Sequence, residues 1–208
     1  FNWESKTATR IEFDSHFGKV RWNDLAFDPS GDFALLIGRL HDSNSTEGRM
    51  YRFDHTAFTS NSERPPEEYI SEVIAGRISQ ELKAIEYPWG EGNPVVLAIS
   101  GSNSSKIASL REFAPAEHTF SGLYTSTASG WVGCDDLGFV NNEYGTMGIL
   151  IACGSGGANN HYYTEIGGLG EWRHGPGNSN TGNTSRIGVH REGDYALMIS
   201  WSGRRVYR

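Results

Sequence analysis

Four stretches of the sequence repeat one pattern: a short strand of alternating polarity, a polar turn and a continuous apolar strand. They cover residues 21–38, 81–100, 134–152 and 185–200. Each apolar strand ends near an isoleucine, and Ile37, Ile99, Ile151 and Ile199 stand 62, 52 and 48 residues apart. A hairpin of this size cannot cover its own apolar faces, so each copy must pack against the next. We therefore expect these isoleucines to occupy equivalent places in successive sheets.

Each hairpin is followed by one or two further strand-like segments. The predicted third strands cover residues 48–55, 105–113, 160–167 and 203–208. Polar candidates for a fourth, outer strand cover residues 67–76, 121–129 and 169–175. In 67–85 apolar residues also recur at helical spacing, so an outer strand and a short helix both remain open there.

Antiparallel units of three or four strands, repeated at this spacing, are typical of β-propellers. The predicted fold is therefore all-β: a β-propeller with about four recognisable blades, either complete or part of a larger ring. We predict a single domain over residues 1–208, with residues 1–15 as a candidate ring-closing strand. The predicted blades lie near residues 20–77, 80–129, 131–175 and 184–208.

The hairpin turns have two lengths. The first and fourth copies share a tight connection at residues 28–32 and 190–194, while the second and third copies carry two more residues. The DPSGD sequence of the first turn has Pro early and Gly late, which is typical of a plain hairpin turn.

Composition narrows the classes of partner. The chain carries 18 Lys and Arg against 25 Asp and Glu, a formal net charge of -7, and this disfavours binding to nucleic-acid phosphates. No apolar run approaches the roughly 18 residues that a membrane-spanning helix needs, so no membrane span is expected. A glycan or another protein is the expected partner, and self-association is a further option.

Residues 24–38 (DLAFDPSGDFALLIG) and 51–54 (YRFD) carry a more specific signal. They resemble Trp-Asp-repeat-like propeller blades, in a divergent group found in secreted or surface proteins of bacteria and archaea. The resemblance implies the propeller fold and no particular activity.

The two cysteines, Cys134 and Cys153, lie in the first and second strands of the third copy. If that hairpin is regular, they face each other at a Cα separation compatible with a disulfide. A disulfide favours an extracellular or cell-surface location. Two buried, reduced thiols are the alternative that the sequence leaves open.

In a propeller, the starts of the inner strands and the ends of the second strands meet on one rim around the axis. A concave rim with aromatic and polar groups is the default ligand site. The predicted ligand-binding residues there are Trp22, Arg39, Trp131, Asp135, Asn159, His161 and Trp201. The adjacent Asp135 and Asp136 should point to opposite sides of their strand, so they should not act on one bond together.

The expected function is an extracellular binding or structural module that recognises a glycan or a protein through its loop-rich face. We predict no cofactor, no metal and no catalytic residues, and an enzyme is the less favoured class. Two alternatives stay open. One is a polysaccharide hydrolase or lyase using rim carboxylates such as Asp24, Glu81 or Asp135, and the other is a subunit of an extracellular filament or coat.

Overall fold

The structure is a computed structural model of the 208-residue chain. It describes thirteen segments of the chain, and the statements below concern these segments. They are residues 20–40, 48–54, 67–70, 80–88, 92–100, 107–125, 134–141, 147–153, 161–165, 173–174, 184–190, 192–200 and 205–207.

The described elements are strands, arranged in four antiparallel sheets in chain order. Sheet I contains β1 (Val20–Phe27), β2 (Phe33–Leu40), β3 (Gly48–Asp54) and β4 (Glu67–Ile70). Sheet II contains β5 (Gln80–Glu86), β6 (Val95–Ser100), β7 (Ile107–Ala114) and β8 (Thr119–Thr125). Sheet III contains β9 (Cys134–Asn141), β10 (Met147–Cys153), β11 (His161–Glu165) and β12 (Arg173–His174). Sheet IV contains β13 (Thr184–Val189), β14 (Ala196–Ser200) and β15 (Arg205–Tyr207).

The all-β prediction and the strand order within each copy are confirmed. Residues 67–70 form an outer strand rather than a helix, and the rest of that ambiguous segment lies outside the described residues until β5 begins. The predicted ring-closing segment within 1–15 also lies outside them. The described strands form no closed barrel or ring, so the propeller itself stays a proposal.

The turns of the first and fourth copies are built alike. In the first, the Gly31 N–H donates to the Asp28 carbonyl at 2.9 Å, and in the fourth, the Gly193 N–H donates to the His190 carbonyl at 2.7 Å. Both glycines have positive φ, 78° and 72°, a conformation that glycine adopts without steric cost. The tight connection predicted from the sequence is therefore the same turn used twice.

A β-bulge recurs at one position in the first strand of all four sheets. The bulged residues are Asn23, Lys83, Asp135 and Ser185. A bulge leaves one residue unpaired and re-aims its side chain. Because it stands at the same point of every copy, it provides a common register for comparing the sheets.

That register corrects the expected alignment of the isoleucines. The second-strand partners of the first residue after each bulge are Ile37, Leu97, Ala152 and Ile199. Ile37 and Ile199 are equivalent, as predicted, but Ile99 lies two residues beyond its matching place and Ile151 lies one residue before it. The prediction is wrong for these two because turn lengths differ between copies, and a one-residue shift moves a side chain to the other face of the sheet.

Each sheet has two apolar faces, which we name from the bulge. The front face carries the first residue after the bulge, and the back face carries the second. The front face of sheet I packs against the back face of sheet II in a buried cluster that includes Leu35, Ile37, Met50, Leu82, Ile85, Tyr87 and Phe113. The front face of sheet II packs against the back face of sheet III in a second cluster that includes Leu97, Leu110, Leu137, Phe139 and Ile149.

The boundary between sheets III and IV follows the same rule. Gly138 on the front face of sheet III lies against Ile187 and Val189 on the back face of sheet IV. At the end of β9, the Asn141 N–H donates to the Gly193 carbonyl at 2.8 Å. The fold is thus a series of sheets in which every front face meets the next back face.

Candidate functional site

The bulged residues lie where the predicted rim should be, and they connect neighbouring sheets. The Asn23 side-chain amide donates to the Leu82 carbonyl at 2.6 Å, which ties sheet I to sheet II. The Lys83 Nζ lies 3.4 Å from the Asp135 Oδ1, which ties sheet II to sheet III. The bulge therefore aims each of these polar side chains at the next sheet.

Further charged groups extend this connection into a belt along the rim. Glu81 lies between two cations, with its Oε1 at 3.6 Å from an Arg39 nitrogen and at 3.2 Å from Lys83 Nζ. The Arg186 guanidinium donates to the Asp135 backbone carbonyl at 3.2 Å. These side chains are partly exposed, so each pair adds little stability by itself. Together they hold a surface of alternating charge in a fixed arrangement.

The first residue after the bulge makes a second kind of connection. The Asp24 carboxylate accepts a hydrogen bond from the Ile85 N–H at 2.9 Å, and the Asp136 carboxylate accepts one from the Ile187 N–H at 2.7 Å. Ile85 and Ile187 are equivalent residues in sheets II and IV. The sequence analysis missed this role, although its signal was visible as an Asp at matching places in the first and third copies.

Three carboxyl groups meet between the inner strands. Burial raises the pKa of Glu86 to about 7, and the negative charges of Asp24 and Asp136 raise it further. Glu86 is exposed as a residue, so solvent screens part of this repulsion. Burial also raises the pKa of Asp136 to about 6, against the opposing hydrogen bond from Ile187.

The pKa of Asp24 is likewise raised by burial. The N–H groups of Ile85 and Leu25 oppose this shift, as does the positive charge of Arg186. The three carboxyls therefore share one electrostatic environment, in which ionising one discourages ionisation of the others.

Of the predicted ligand-binding residues, the structure describes Trp22, Arg39 and Asp135 on the rim. Arg39 and Asp135 are linked through Glu81 and Lys83. Trp22 packs edge-to-face on Tyr51, with ring centroids 5.1 Å apart, and remains 37% exposed. His161 begins β11 opposite Ala152. The other predicted ligand-binding residues, Trp131, Asn159 and Trp201, lie outside the described residues.

Asp135 and Asp136 have different partners, as the sequence indicated. The Asp135 carboxylate lies against Lys83 of sheet II, whereas the Asp136 carboxylate bonds to the backbone of sheet IV. The bulge at Asp135 separates them further, so they do not form an acid and base pair on one bond.

The cysteines stand where the sequence predicts. Cys134 and Cys153 are directly paired across β9 and β10, one position before the bulge at Asp135. Cys134 is fully buried. No free cysteine is found in the described part of the chain.

Two further searches cover the described strands. No group of three or more His, Cys, Asp or Glu side chains among them is arranged to hold a metal ion. None of the described elements is a helix long and apolar enough to cross a membrane.

The fold has similar counterparts among solved structures. Two crystal structures of Sqt1 from Chaetomium thermophilum match with a TM-score of 0.50, at 15% and 14% sequence identity. Each match covers 88% of this chain and 42% of the Sqt1 chain, so this chain spans less than half the length of Sqt1. At this identity the likeness concerns the fold alone.

No family model matches the sequence, and no curated protein matches it. The resemblance of residues 24–38 and 51–54 to Trp-Asp-like repeats therefore stays a prediction.

Proposed function

We propose that the chain is an extracellular β-propeller module that binds a protein partner through its bulged rim. The observation that carries the proposal is the repeated bulge, which in three successive sheets directs a polar side chain or its backbone to the next sheet. A rim built this way is ordered before any partner arrives. Less conformational entropy is then lost on binding.

The propeller arrangement is supported by the contacts of the first strands. In a propeller the innermost strand of each blade lies beside the innermost strands of its neighbours. Here β1 contacts β5, β5 contacts β9 and β9 contacts β13. Each sheet then extends outward in chain order from its first strand.

A protein is the favoured partner because of what the rim presents. Trp22 is partly exposed and held in place by Tyr51, beside the charged groups of Arg39, Glu81 and Lys83. Anchored Trp and Arg side chains are the residue types that dominate protein-binding energy. A glycan that stacks on Trp22 is the alternative occupant.

An extracellular location is supported by the cysteines. Their direct pairing across β9 and β10 suits a disulfide between Cys134 and Cys153. We include this disulfide in the proposal because cross-links of this kind persist in oxidising compartments.

A binding experiment tests the proposal. The purified chain is applied to a panel of purified extracellular proteins and to a glycan array, alongside Trp22→Ala and Lys83→Met variants. We expect binding to a protein that each variant weakens at least about tenfold, the size of loss typical of an interface anchor. Thr125→Ala, at an exposed position on β8, is the matched control and should bind like the parent. Binding that ignores both rim variants would refute the role of the rim.

One observation favours a polysaccharide-active enzyme as a second candidate. Glu86, with a pKa near 7, could act as a general acid at neutral pH. The rim carboxylates expected for that role are engaged elsewhere, Glu81 and Asp135 with cations and Asp24 with the Ile85 N–H. Turnover of a polysaccharide that Glu86→Gln abolishes would support this candidate over a binding module.

A further inference from the structure

The front face of sheet IV is exposed, although its counterparts are buried. Leu197 is 43% exposed and Ile199 is 51% exposed, whereas the equivalent Leu35 and Ile37 of sheet I are fully buried under sheet II. Val206, paired with Ile199 in β15, extends the same face and is 64% exposed. Sheet IV therefore presents the apolar surface that, in sheets I and II, covers the next sheet.

The back face of sheet I is the complementary surface. Leu25 is 50% exposed, whereas the equivalent Ile85 and Leu137 are 1% and 3% exposed because a preceding front face covers them. Phe27 on the same face is 58% exposed. The first and last sheets thus expose the two different surfaces that pack together at every internal boundary.

A glycine marks how closely a neighbour can approach sheet IV. At the boundary between sheets III and IV, Gly138 makes room for Ile187 and Val189. Gly188 holds the same register position on the front face of sheet IV, and a Cβ atom there would meet nothing within 4 Å. The space that a back face fills against Gly138 is therefore open against Gly188.

We propose that a second copy of this chain covers these faces, so that two copies form one closed ring. The front face of sheet IV of each copy packs on the back face of sheet I of the other. This inference rests on the proposed propeller arrangement. A contact between two unlike faces closes into a ring when the rotation between subunits permits, and here two such contacts close a pair.

Two copies are favoured over other occupants by the chemistry and by the length of similar folds. The chain itself carries both halves of the contact seen at each internal boundary, so its own copy is a complementary partner. The matched region of Sqt1 is 42% of that chain, so a similar fold has room for about one more set of sheets. Additional sheets supplied by another polypeptide are an outcome that the test separates.

The test measures the mass of the 208-residue chain by sedimentation equilibrium. We expect a mass of twice the 23.0 kDa chain mass at micromolar concentration. Leu25→Asp and Ile199→Asp each place a charge in both contacts of the pair, and each variant alone should be monomeric. Both substitutions lie at half-exposed sites, and circular dichroism establishes that each variant is folded.

Mixing the two variants gives the decisive result. In a mixed pair one contact joins the two intact faces, while the other contact carries both charges. Association should therefore return when Leu25→Asp and Ile199→Asp are combined, with a measured mass of two chains. Thr119→Asp, on an exposed position of β8, is the control and should associate like the parent.

Three outcomes would overturn the inference: a monomeric parent chain, growth without limit as concentration rises, or a mixture that stays monomeric. None of these depends on a binding partner. Because the rim variants Trp22→Ala and Lys83→Met leave Leu25 and Ile199 unchanged, failure of the pair and failure of the proposed binding function are separate results.

Discussion

Gly138 lies so close to Val189 that a Cβ atom at the glycine would approach the valine Cγ2 to 2.7 Å. Real Cβ atoms do not make contacts this short, so an added methyl group must displace its neighbour. Ile187 Cγ2 would lie at 3.2 Å on the same side. Both neighbours are β-branched residues with restricted rotamers, so they cannot readily move aside.

Gly138→Ala should therefore destabilise the chain. Overpacking of a close contact typically costs about 1–3 kcal/mol, and we expect a loss of that size in the free energy of unfolding measured with urea. Gly122→Ala on β8 is the matched control, because a Cβ there would meet nothing within 4 Å. Equal stability of the two variants would contradict the close packing of sheets III and IV.

The bond from Asp24 to the Ile85 N–H predicts a difference between two substitutions at one site. Asp24→Ala removes the acceptor and leaves that N–H without it, which should cost about 1–3 kcal/mol. Asp24→Asn keeps an oxygen acceptor and removes only the charge, so its loss should be clearly smaller. Asp32→Ala, in the exposed turn, controls for loss of an aspartate. Equal losses for Asp24→Ala and Asp24→Asn would argue against the bond.

Stability should fall as pH rises through the range where the inner carboxyls ionise. The pKa of Glu86 in the folded chain is about 7 against an ordinary value of 4.5, and that of Asp136 is about 6 against 3.8. Between the ordinary and the raised values the folded chain binds more protons than the unfolded chain, so raising the pH favours unfolding. The melting temperature should decline from pH 5 to pH 8 by a few degrees.

Glu86→Gln tests the origin of that decline. The amide cannot ionise beside Asp24 and Asp136, so the variant should melt higher than the parent at pH 8 and show a flatter pH profile. Arg186 is the positive group that faces Asp24 and Asp136, and it is unchanged. Glu117→Gln, in the exposed turn between β7 and β8, should leave the profile as in the parent. A parent stability that rises from pH 5 to pH 8 would contradict the prediction.

Periodicity was sufficient to predict the strands of this chain and their order within each sheet. Alternating and continuous apolar runs report which segments are half-buried and which are fully buried, and both depend on local sequence. The shared turn at Gly31 and Gly193 was predictable for the same reason, since its positive φ favours glycine.

The register between copies was not predictable by aligning isoleucines. Ile151 and Ile37 look equivalent in sequence, yet they lie on opposite faces of their sheets, because the bulge and the turn length together set the pairing. A bulge has no strong sequence signal, since Asn23, Lys83, Asp135 and Ser185 share little beyond polarity. The roles of Asp24 and Asp136 followed from that register and were missed with it.

The last prediction concerns the proposed link between Cys134 and Cys153, which closes a loop that contains the whole β9–β10 hairpin. A cross-link over a loop of this size typically stabilises a fold by about 3 kcal/mol, chiefly by restricting the unfolded chain. We expect the intact mass of the oxidised chain to be 2 Da below that of the reduced chain, as the loss of two thiol hydrogens requires. Reduction should lower the melting temperature of the parent but not that of a Cys134→Ala, Cys153→Ala double variant. A parent chain purified from an oxidising compartment with two titratable thiols would refute the link.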